Sequence, residues 1–278
     1  MVIVKLWGGL GNQMFQYALY LAYKHKHVTV KLDKSFYDTY HDFNGYELEK
    51  IFAIQPDYSG ALETSLLKAF SKLGSKLLGT PYKETTDMLC NYYEEVAEMK
   101  SGFLKGYWQS EKYFSDCTNI IRSAFAFSSP DDEKNKNTLA EMKNTNSVSV
   151  HIRRGDYLEQ NRDWAIGPEY YKKAISEMQH RLESPVFFVF SDDIQWVKDN
   201  IDVPNPTYVT WNTKENSFRD MQLMSSCKHN IIANSSFSWW GAWLNENPGK
   251  IVLTPNRWFP FFEGTRDVIP SQWEKISF

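Results

Sequence analysis

The chain has 278 residues and a formal net charge of −3, a length that suits two modest domains or one large α/β domain with a sizeable core. With so little excess charge, no broad basic surface for nucleic acid is indicated, and any phosphate site must be local. The three cysteines are widely spaced and form no CxxC pattern, which argues against a disulfide framework or a zinc site and predicts a cytoplasmic setting.

The first predicted elements are a strand over residues 2–7, a glycine-rich loop over 8–13 and an apolar helix over 14–22. The opening strand is too short for a signal-peptide core, and no apolar run approaches the roughly 18 residues of a membrane span. Gly9 and Gly11 would let a ligand or an opposing domain approach the backbone, with Asn12 and Gln13 as donors. The spacing is not G-x-G-x-x-G, so an NAD-dependent oxidoreductase is disfavoured.

The next segments are a predicted strand over 28–32, a helical region over 44–78 and a third strand over 103–108. Trp108 and Gln109 would lie at the end of that third strand, where a sugar acceptor could stack and hydrogen-bond. The alternative is that Trp108 belongs to the core.

The stretch 128–137 is polar and contains a proline, which predicts a surface loop before a new unit. We therefore expect an N-terminal, acceptor-side domain over 1–140 and a C-terminal domain over 141–278, whose extreme C-terminus packs back on the first domain. Downstream, apolar strands alternate with helices up to a last strand over 251–255. This rhythm predicts a parallel, Rossmann-like nucleotide-binding sheet and an α/β fold class.

Two arginines end the predicted strand over 147–152. Arg153 and Arg154 offer planar donor forks that match phosphate oxygens, and in open α/β sheets ligands bind beyond the carboxyl ends of strands. A diphosphate is the natural ligand, and a surface ion pair with a nearby aspartate is the alternative. His151, in the strand itself, is either a core imidazole or a group that positions the ligand.

Two further strand ends carry polar residues. Asp192 and Asp193 could bind Mg²⁺, but we prefer an interpretation in which a carboxylate accepts from ribose hydroxyls or a purine amine. Asp193 could also simply begin the next helix. Asn234, Ser235 and Ser236 precede an apolar helix, so they are either ordinary caps or part of an anion site at its N-terminus.

These motifs together resemble those of the bacterial α-1,2-fucosyltransferases. The likeness runs from residue 3 to about residue 260 and rests on four segments: Gly8 to Ala18, the HxRRGDY motif at 151–157, Phe190 to Asp193, and Asn234 to Gly241.

The resemblance implies a GT-B-like architecture with two Rossmann-type domains facing a cleft, GDP-β-L-fucose as donor, a terminal galactose as acceptor, and inversion without a metal or other cofactor. Its motifs imply that Arg153 and Arg154 grip the diphosphate and that Asp192 faces the guanosine. They also imply that Asn12 lies near the fucose, while the phosphate or nucleoside pocket is lined by Ser235, Ser236 and Phe237.

Several alternatives stay open. An inverting transfer needs a base, and Asp156 could be that base or could only orient an arginine. The chain could use another GDP-sugar or linkage, or could be a non-catalytic nucleotide- or glycan-binding protein. The acceptor could be a free galactoside or a lipid-linked glycan, which would place the protein at the inner face of the cell membrane.

Overall fold

The computed structural model describes residues 1–39, 44–77, 90–259 and 266–278, with the backbone alone described at 68 and 71–77. The chain divides into two compact units, one formed by 1–128 with 266–268 and the other by 129–265 with 269–278. The division falls ahead of the predicted 140/141 boundary, because the helix Glu133–Asn144 packs in the second unit's core through Met142. Of the extreme C-terminus, only 266–268 belongs to the first unit.

The first unit is built on a three-stranded parallel sheet in the order β2-β1-β3. Its elements in chain order are β1 (Val2–Lys5), α1 (Leu10–His25), β2 (Val30–Asp33), α2 (Leu48–Ile51), α3 (Ala61–Leu77), α4 (Glu94–Ala97), β3 (Gly102–Leu104) and α5 (Thr118–Ala124).

The predicted strands and helices of this unit are present with different bounds: the strand over 2–7 ends at Lys5, the strand over 28–32 is shifted to Val30–Asp33, and the helix over 14–22 is longer, Leu10–His25. The helical region expected over 44–78 is two helices, α2 and α3, and residue 78 lies outside the described residues. The third strand ends at Leu104, so Trp108 follows it in a loop.

The second unit is a six-stranded parallel sheet with helices on both faces. Its elements are α6 (Glu133–Asn144), β4 (Asn146–Ile152), α7 (Gly155–Gln160), α8 (Pro168–Arg181), β5 (Pro185–Ser191), α9 (Ile194–Asn200), β6 (Thr207–Val209), α10 (Phe218–Ser226), β7 (His229–Ile231), α11 (Ser236–Leu244), β8 (Val252–Pro255) and β9 (Glu274–Ile276). Within the described ranges, no helix combines the length and apolarity that crossing a bilayer would require.

The sheet order is β6-β5-β4-β7-β8-β9 with every neighbouring pair parallel. Counted along this unit, the order is 3-2-1-4-5-6, that of the dinucleotide-binding Rossmann fold. The predicted α/β class with a Rossmann-like second unit is therefore confirmed. The strand over 251–255 was expected to be the last strand of the sheet. This is wrong, because β9 follows it in the chain and pairs with β8 as the edge strand.

The apolar strand β5 shows why the sheet is covered on both sides. Phe187 and Val189 pack toward α8 and α9, whereas Phe188 and Phe190 pack toward α10 with Met142 of α6. Successive strand residues point to opposite faces, so an unbroken apolar run needs two apolar surroundings.

A polar loop was expected over 128–137, but α6 begins inside it, since Asp132 accepts a hydrogen bond from the Asn135 backbone N–H (2.8 Å).

Candidate functional site

Strand register brings three of the predicted motifs to one edge of the second unit's sheet. His151 lies opposite Phe190 and Ile152 opposite Ser191, so the chain enters Arg153 beside Asp192. On the other side of β4, Val150 lies opposite Ile231, which precedes Asn234 by three residues. The strand order reverses between β4 and β7, and ligands of such sheets bind in the crevice at this point. The predicted motifs therefore flank the place where the topology favours a ligand.

Arg153 is held between two carboxylates. Its Nη2 lies 2.8 Å from Oδ1 of Asp156, and its Nη1 lies 3.0 Å from Oδ2 of Asp192. Burial alone would lower the pKa of this guanidinium, but Asp192 and Asp156 outweigh it and the pKa is raised. Asp156 thus contacts an arginine, which supports the orienting role more than that of a base.

Arg154 has different neighbours. Its backbone N–H donates to Oδ1 of Asp192 (2.9 Å), and its Nε donates to Oδ2 of Asp193 (3.2 Å). The guanidinium carbon lies 3.6 Å from the ring centre of Trp196 in α9, a cation–π stack. The side chain of Arg154 is consequently packed against α9, and its contact with a diphosphate stays a prediction.

Asp193 caps α9, since its Oδ1 accepts from the Trp196 backbone N–H (3.1 Å). The helix-starting interpretation of Asp193 is therefore confirmed. Asp192 uses both carboxylate oxygens on Arg153 and Arg154. In this structure Asp192 ties the two arginines together, and its contact with a nucleoside stays a prediction.

Tyr157 connects the arginine motif to the end of β7. Its hydroxyl donates to the carbonyl oxygen of Asn234 (2.9 Å), while the guanidinium carbon of Arg153 lies 5.9 Å from its ring centre. Asn234 is buried, and its Nδ2 donates to the carbonyls of Trp164 (3.0 Å) and Trp258 (2.9 Å). Asn234 therefore fixes the loops around the site, and the two motifs are linked by one side chain.

The N-terminus of α11 lies directly beyond β7. Ser235 is its N-cap, and its Oγ accepts from the Phe237 backbone N–H (3.3 Å). Ser236 and Phe237 are half-buried, whereas the tryptophans behind them are buried and pack on one another and on Trp273. Capping is thus confirmed, and the positive end of the helix dipole remains suited to an anion.

His151 is buried beside Arg153. Desolvation, followed by the charge of Arg153, lowers the pKa of its imidazole to about 3, although Asp192 acts in the opposite direction. The ring is therefore neutral at physiological pH. Its centre lies 5.9 Å from that of Phe237, and its buried Nδ1 has no hydrogen-bond partner within the described part of the chain.

The glycine loop belongs to the first unit. Gly8 has φ +81°, and a Cβ there would come 2.7 Å from Nδ2 of Asn12. Gly9 is the N-cap of α1, and Gly11 lies in its first turn. Asn12 is half-buried and its Oδ1 accepts from Nε2 of Gln109 (2.7 Å).

Gln13 is fully buried and its amide is used inside the unit. Its Nε2 donates to the carbonyls of Gly8 (3.0 Å) and Gly45 (2.9 Å), and its Oε1 accepts from the Glu47 backbone N–H (3.0 Å). Gln13 therefore holds the loop in place, and the structure does not support its side chain as a ligand donor.

The sequence matches the model of glycosyl transferase family 11 over residues 1–277. The chain belongs to this family. An alpha-1,2-colitosyltransferase of Escherichia coli is 34% identical over 294 residues, covering 99% of this chain and 98% of that protein. Galactoside alpha-(1,2)-fucosyltransferase 1 of Homo sapiens is 30% identical over 166 residues, covering 54% of this chain and 46% of that protein. The solved structure of the fucosyltransferase NodZ from Bradyrhizobium aligns with 86% of this chain and 91% of its own, at 12% identity and a TM-score of 0.47.

The acceptor residues predicted for this family 11 glycosyltransferase need a correction. Trp108 is only 4% exposed and its ring packs edge-on against Tyr113, so it has no open face for a sugar in this structure. Its φ of +55° is uncommon for a residue with a side chain. Gln109 is also buried and contacts Asn12. The core alternative for Trp108 is the one observed, and Gln109 contributes by positioning Asn12.

Sequence reasoning missed Asp220, which follows β6 in the first turn of α10. Its carboxylate accepts a hydrogen bond from Nδ2 of Asn212 (2.9 Å), and burial raises its pKa to about 7. Trp196 was also missed, although its position three residues after Asp193 could have been noted as the first turn of a capped helix.

In the described residues of this glycosyltransferase, no group of three or more His, Cys, Asp or Glu side chains forms a metal site. Metal independence itself stays a prediction.

Proposed function

We propose that this family 11 glycosyltransferase moves L-fucose from GDP-β-L-fucose to the 2-hydroxyl of a terminal galactose with inversion. The observation that carries the proposal is the position of Arg153 at the topological switch point, linked through Tyr157 to the capped end of α11. The motif resemblance to α-1,2-fucosyltransferases supports the donor and the linkage.

The chemistry agrees with this arrangement. Departure of GDP develops negative charge on the β-phosphate oxygens, while the sugar gains oxocarbenium character. A guanidinium and a helix N-terminus fixed in advance stabilise that charge more in the transition state than in the ground state. We propose that Arg153 binds the diphosphate, that Ser235, Ser236 and Phe237 line the same pocket, and that Asn12 lies near the fucose. No base is assigned.

Because the guanidinium of Arg153 has five N–H donors and makes one contact at each terminal nitrogen, to Asp156 and to Asp192, a diphosphate can use the remaining donors or displace one carboxylate. A diphosphate carries more charge than either carboxylate and matches the guanidinium fork in the same bidentate manner. Arg154, stacked on Trp196, would support the site by fixing Asp192 and Asp193.

A second candidate is transfer of colitose, which differs from fucose by lacking the 3-hydroxyl. It is favoured by the colitosyltransferase relative, which aligns with 99% of this chain. Both candidates share the nucleotide site and the linkage, so the residues described above serve either donor.

The deciding experiment is a product assay with GDP-fucose, GDP-colitose and GDP-mannose, each offered with a panel of free galactosides. We expect an α-1,2-linked fucosyl product, identified by NMR. Product from GDP-colitose alone would show that colitose is the sugar transferred, and it would leave the proposed nucleotide site unchanged. GDP binding without product from any donor would instead favour a non-catalytic binding protein, and NAD binding would favour an oxidoreductase.

A further inference from the structure

The carboxyl ends of two strands in the first unit bring Asn12 and Gln109 together. β1 and β3 run parallel with Val4 opposite Leu104, so the loops that follow them leave the sheet side by side. Asn12 lies in the first turn of α1, just beyond the first of these loops, and Gln109 lies in the second. Nε2 of Gln109 donates to Oδ1 of Asn12 at 2.7 Å, although the two residues are 97 positions apart.

The loop that carries Gln109 is held by packing and by hydrogen bonds to its backbone. A Cβ at Gly106 would lie 2.8 Å from the ring of Trp108, so this ring lies directly over the glycine. The carbonyl of Gly106 also accepts from Nε1 of Trp7 (3.1 Å) and from Nε2 of Gln16 (3.1 Å). Gln109 itself is buried. Its side chain therefore starts from a fixed backbone, which a group that positions another side chain requires.

A thiol sets the polarity of the Gln109 amide. Cys90 is buried, and its Sγ–H donates to Oε1 of Gln109 at 3.2 Å. With Oε1 used as an acceptor, the amide nitrogen of Gln109 faces Asn12 and can only donate. Oδ1 of Asn12 then accepts, and its Nδ2 is left as the donor. Asn12 is half-buried, and its Nδ2 donates to no group within the described ranges of the chain.

We propose that Gln109 is a positioning residue, which holds the Asn12 amide so that it offers an N–H, and not a carbonyl oxygen, to the transferred sugar. The sugar atom that meets this amide is then an acceptor, such as a hydroxyl oxygen. The inference rests on the proposed function, in which Asn12 lies near the fucose, and it adds the group that orients Asn12. A donor that is fixed before the substrate binds does not have to be ordered in the transition state.

The first test replaces the amide of Gln109 by a carboxyl group. The ionised carboxylate of the Gln109→Glu variant can only accept, so Asn12 must turn its Nδ2 inward and present Oδ1 to the sugar. With a galactoside and the GDP-sugar that the wild type transfers, kcat should fall about tenfold at pH 8, the effect of one lost hydrogen bond. Relative to the wild type, part of the rate should return at pH 6, because burial favours the protonated carboxyl, which can donate.

Two further variants isolate the hydrogen bond. Gln109→Met has nearly the same length but no donor, so its loss of kcat relative to the wild type should not vary with pH. In an Asn12→Ala background, Gln109→Met should cost little further kcat, because the group that Gln109 orients is absent. Gln55→Glu is the matched control, since Gln55 is exposed in the same unit, and it should turn over as the wild type does.

Unchanged melting temperatures and unchanged GDP binding verify that the variants are folded. If Gln109→Glu follows the pH profile of the wild type, or if the losses in the double variant are additive, the inference is overturned while the proposed function stands. A wild type that binds GDP but forms no product from any GDP-sugar would overturn the proposed function, and this role of Gln109 with it.

Discussion

Arg153 and Arg154 are neighbours in sequence, but they have separate surroundings. Arg153 faces Asp156, Asp192 and Tyr157 at the switch point of the sheet, whereas Arg154 stacks on Trp196. The sequence could predict that two guanidiniums end a strand. It could not predict which of them stacks on α9, because that depends on tertiary packing.

The first prediction separates the two arginines. We expect Arg153→Ala to lower turnover about a hundredfold or more, the usual loss when one preorganised charge-stabilising donor is removed. Arg154→Ala should lower turnover less and the melting temperature more, because it removes a partly buried stack. Single-turnover kinetics and thermal unfolding of both variants measure this.

Arg153→Lys is the matched control, since it keeps the charge but loses the planar fork and should recover only part of the rate. Turnover in Arg153→Ala equal to that of the wild type would show that the diphosphate binds elsewhere.

The second prediction concerns Asp220. Its pKa is raised to about 7 in the fold, compared with an ordinary value near 3.8, so the folded state keeps a proton that the unfolded chain has released. The contribution of Asp220 to the free energy of unfolding is fully present below about pH 4 and is lost as the pH rises through about 7. The loss amounts to a few kcal/mol at most.

Asp220→Asn should remove this loss and melt higher than the wild type at pH 8, with a smaller difference at pH 5. Thermal unfolding across this pH range is the measurement. A variant that melts lower at every pH would show that the carboxylate is needed for packing in either protonation state.

At the scale of elements, the apolar runs were the informative part of the sequence. The run Val186 to Phe190 predicted a strand covered on both faces, and the Pro168 helix start predicted α8. Strand β9 was missed because its three residues, Glu274–Ile276, lie at the sheet edge and have no apolar period. Helix α6 was missed because its polar first turn is stabilised by the Asp132 cap, which composition alone does not reveal.

The third prediction tests how α11 is positioned. A Cβ at Gly241 would lie 2.9 Å from Cβ of Met224 in α10, closer than two such atoms normally approach. Gly241→Ala should therefore push the two helices apart and cost about 1–3 kcal/mol of folding free energy. Because the N-terminus of α11 moves with the helix, GDP binding should also weaken.

Chemical denaturation and calorimetric titration with GDP are the measurements, and Gly249→Ala is the control, since a Cβ there meets nothing within 4 Å. If Gly241→Ala binds GDP as the wild type does, α11 takes no part in the nucleotide site.

At the scale of the whole molecule, the alternation of strands and helices predicted a parallel Rossmann-like sheet, but not which strands neighbour one another. That order places Arg153 and Asn234 on either side of the switch point. The burial of Trp108 could not be predicted from the sequence either, because an aromatic residue after a strand can belong to the core or can stack on a sugar.

The fourth prediction is that catalysis needs no divalent metal. Guanidiniums and a helix N-terminus supply the positive charge at the proposed diphosphate site, so turnover should be the same in EDTA as in Mg²⁺. Initial rates with GDP-fucose and a galactoside measure this. A rate that EDTA abolishes and Mg²⁺ restores would mean that a cation takes part and that the arginines are only supporting groups.

The allocation of residues 266–268 to the first unit has a consequence for biosynthesis. Asp267 accepts from the Tyr92 backbone N–H (3.1 Å) and from Nζ of Lys112, and the Arg266 backbone N–H donates to Oδ1 of Asn91 (2.9 Å). Val268 is fully buried. A nascent chain that has emerged only as far as residue 128 lacks all of these contacts. The unit that begins synthesis first can therefore complete these contacts only after residue 268 has been made, when most of the second unit has also been synthesised.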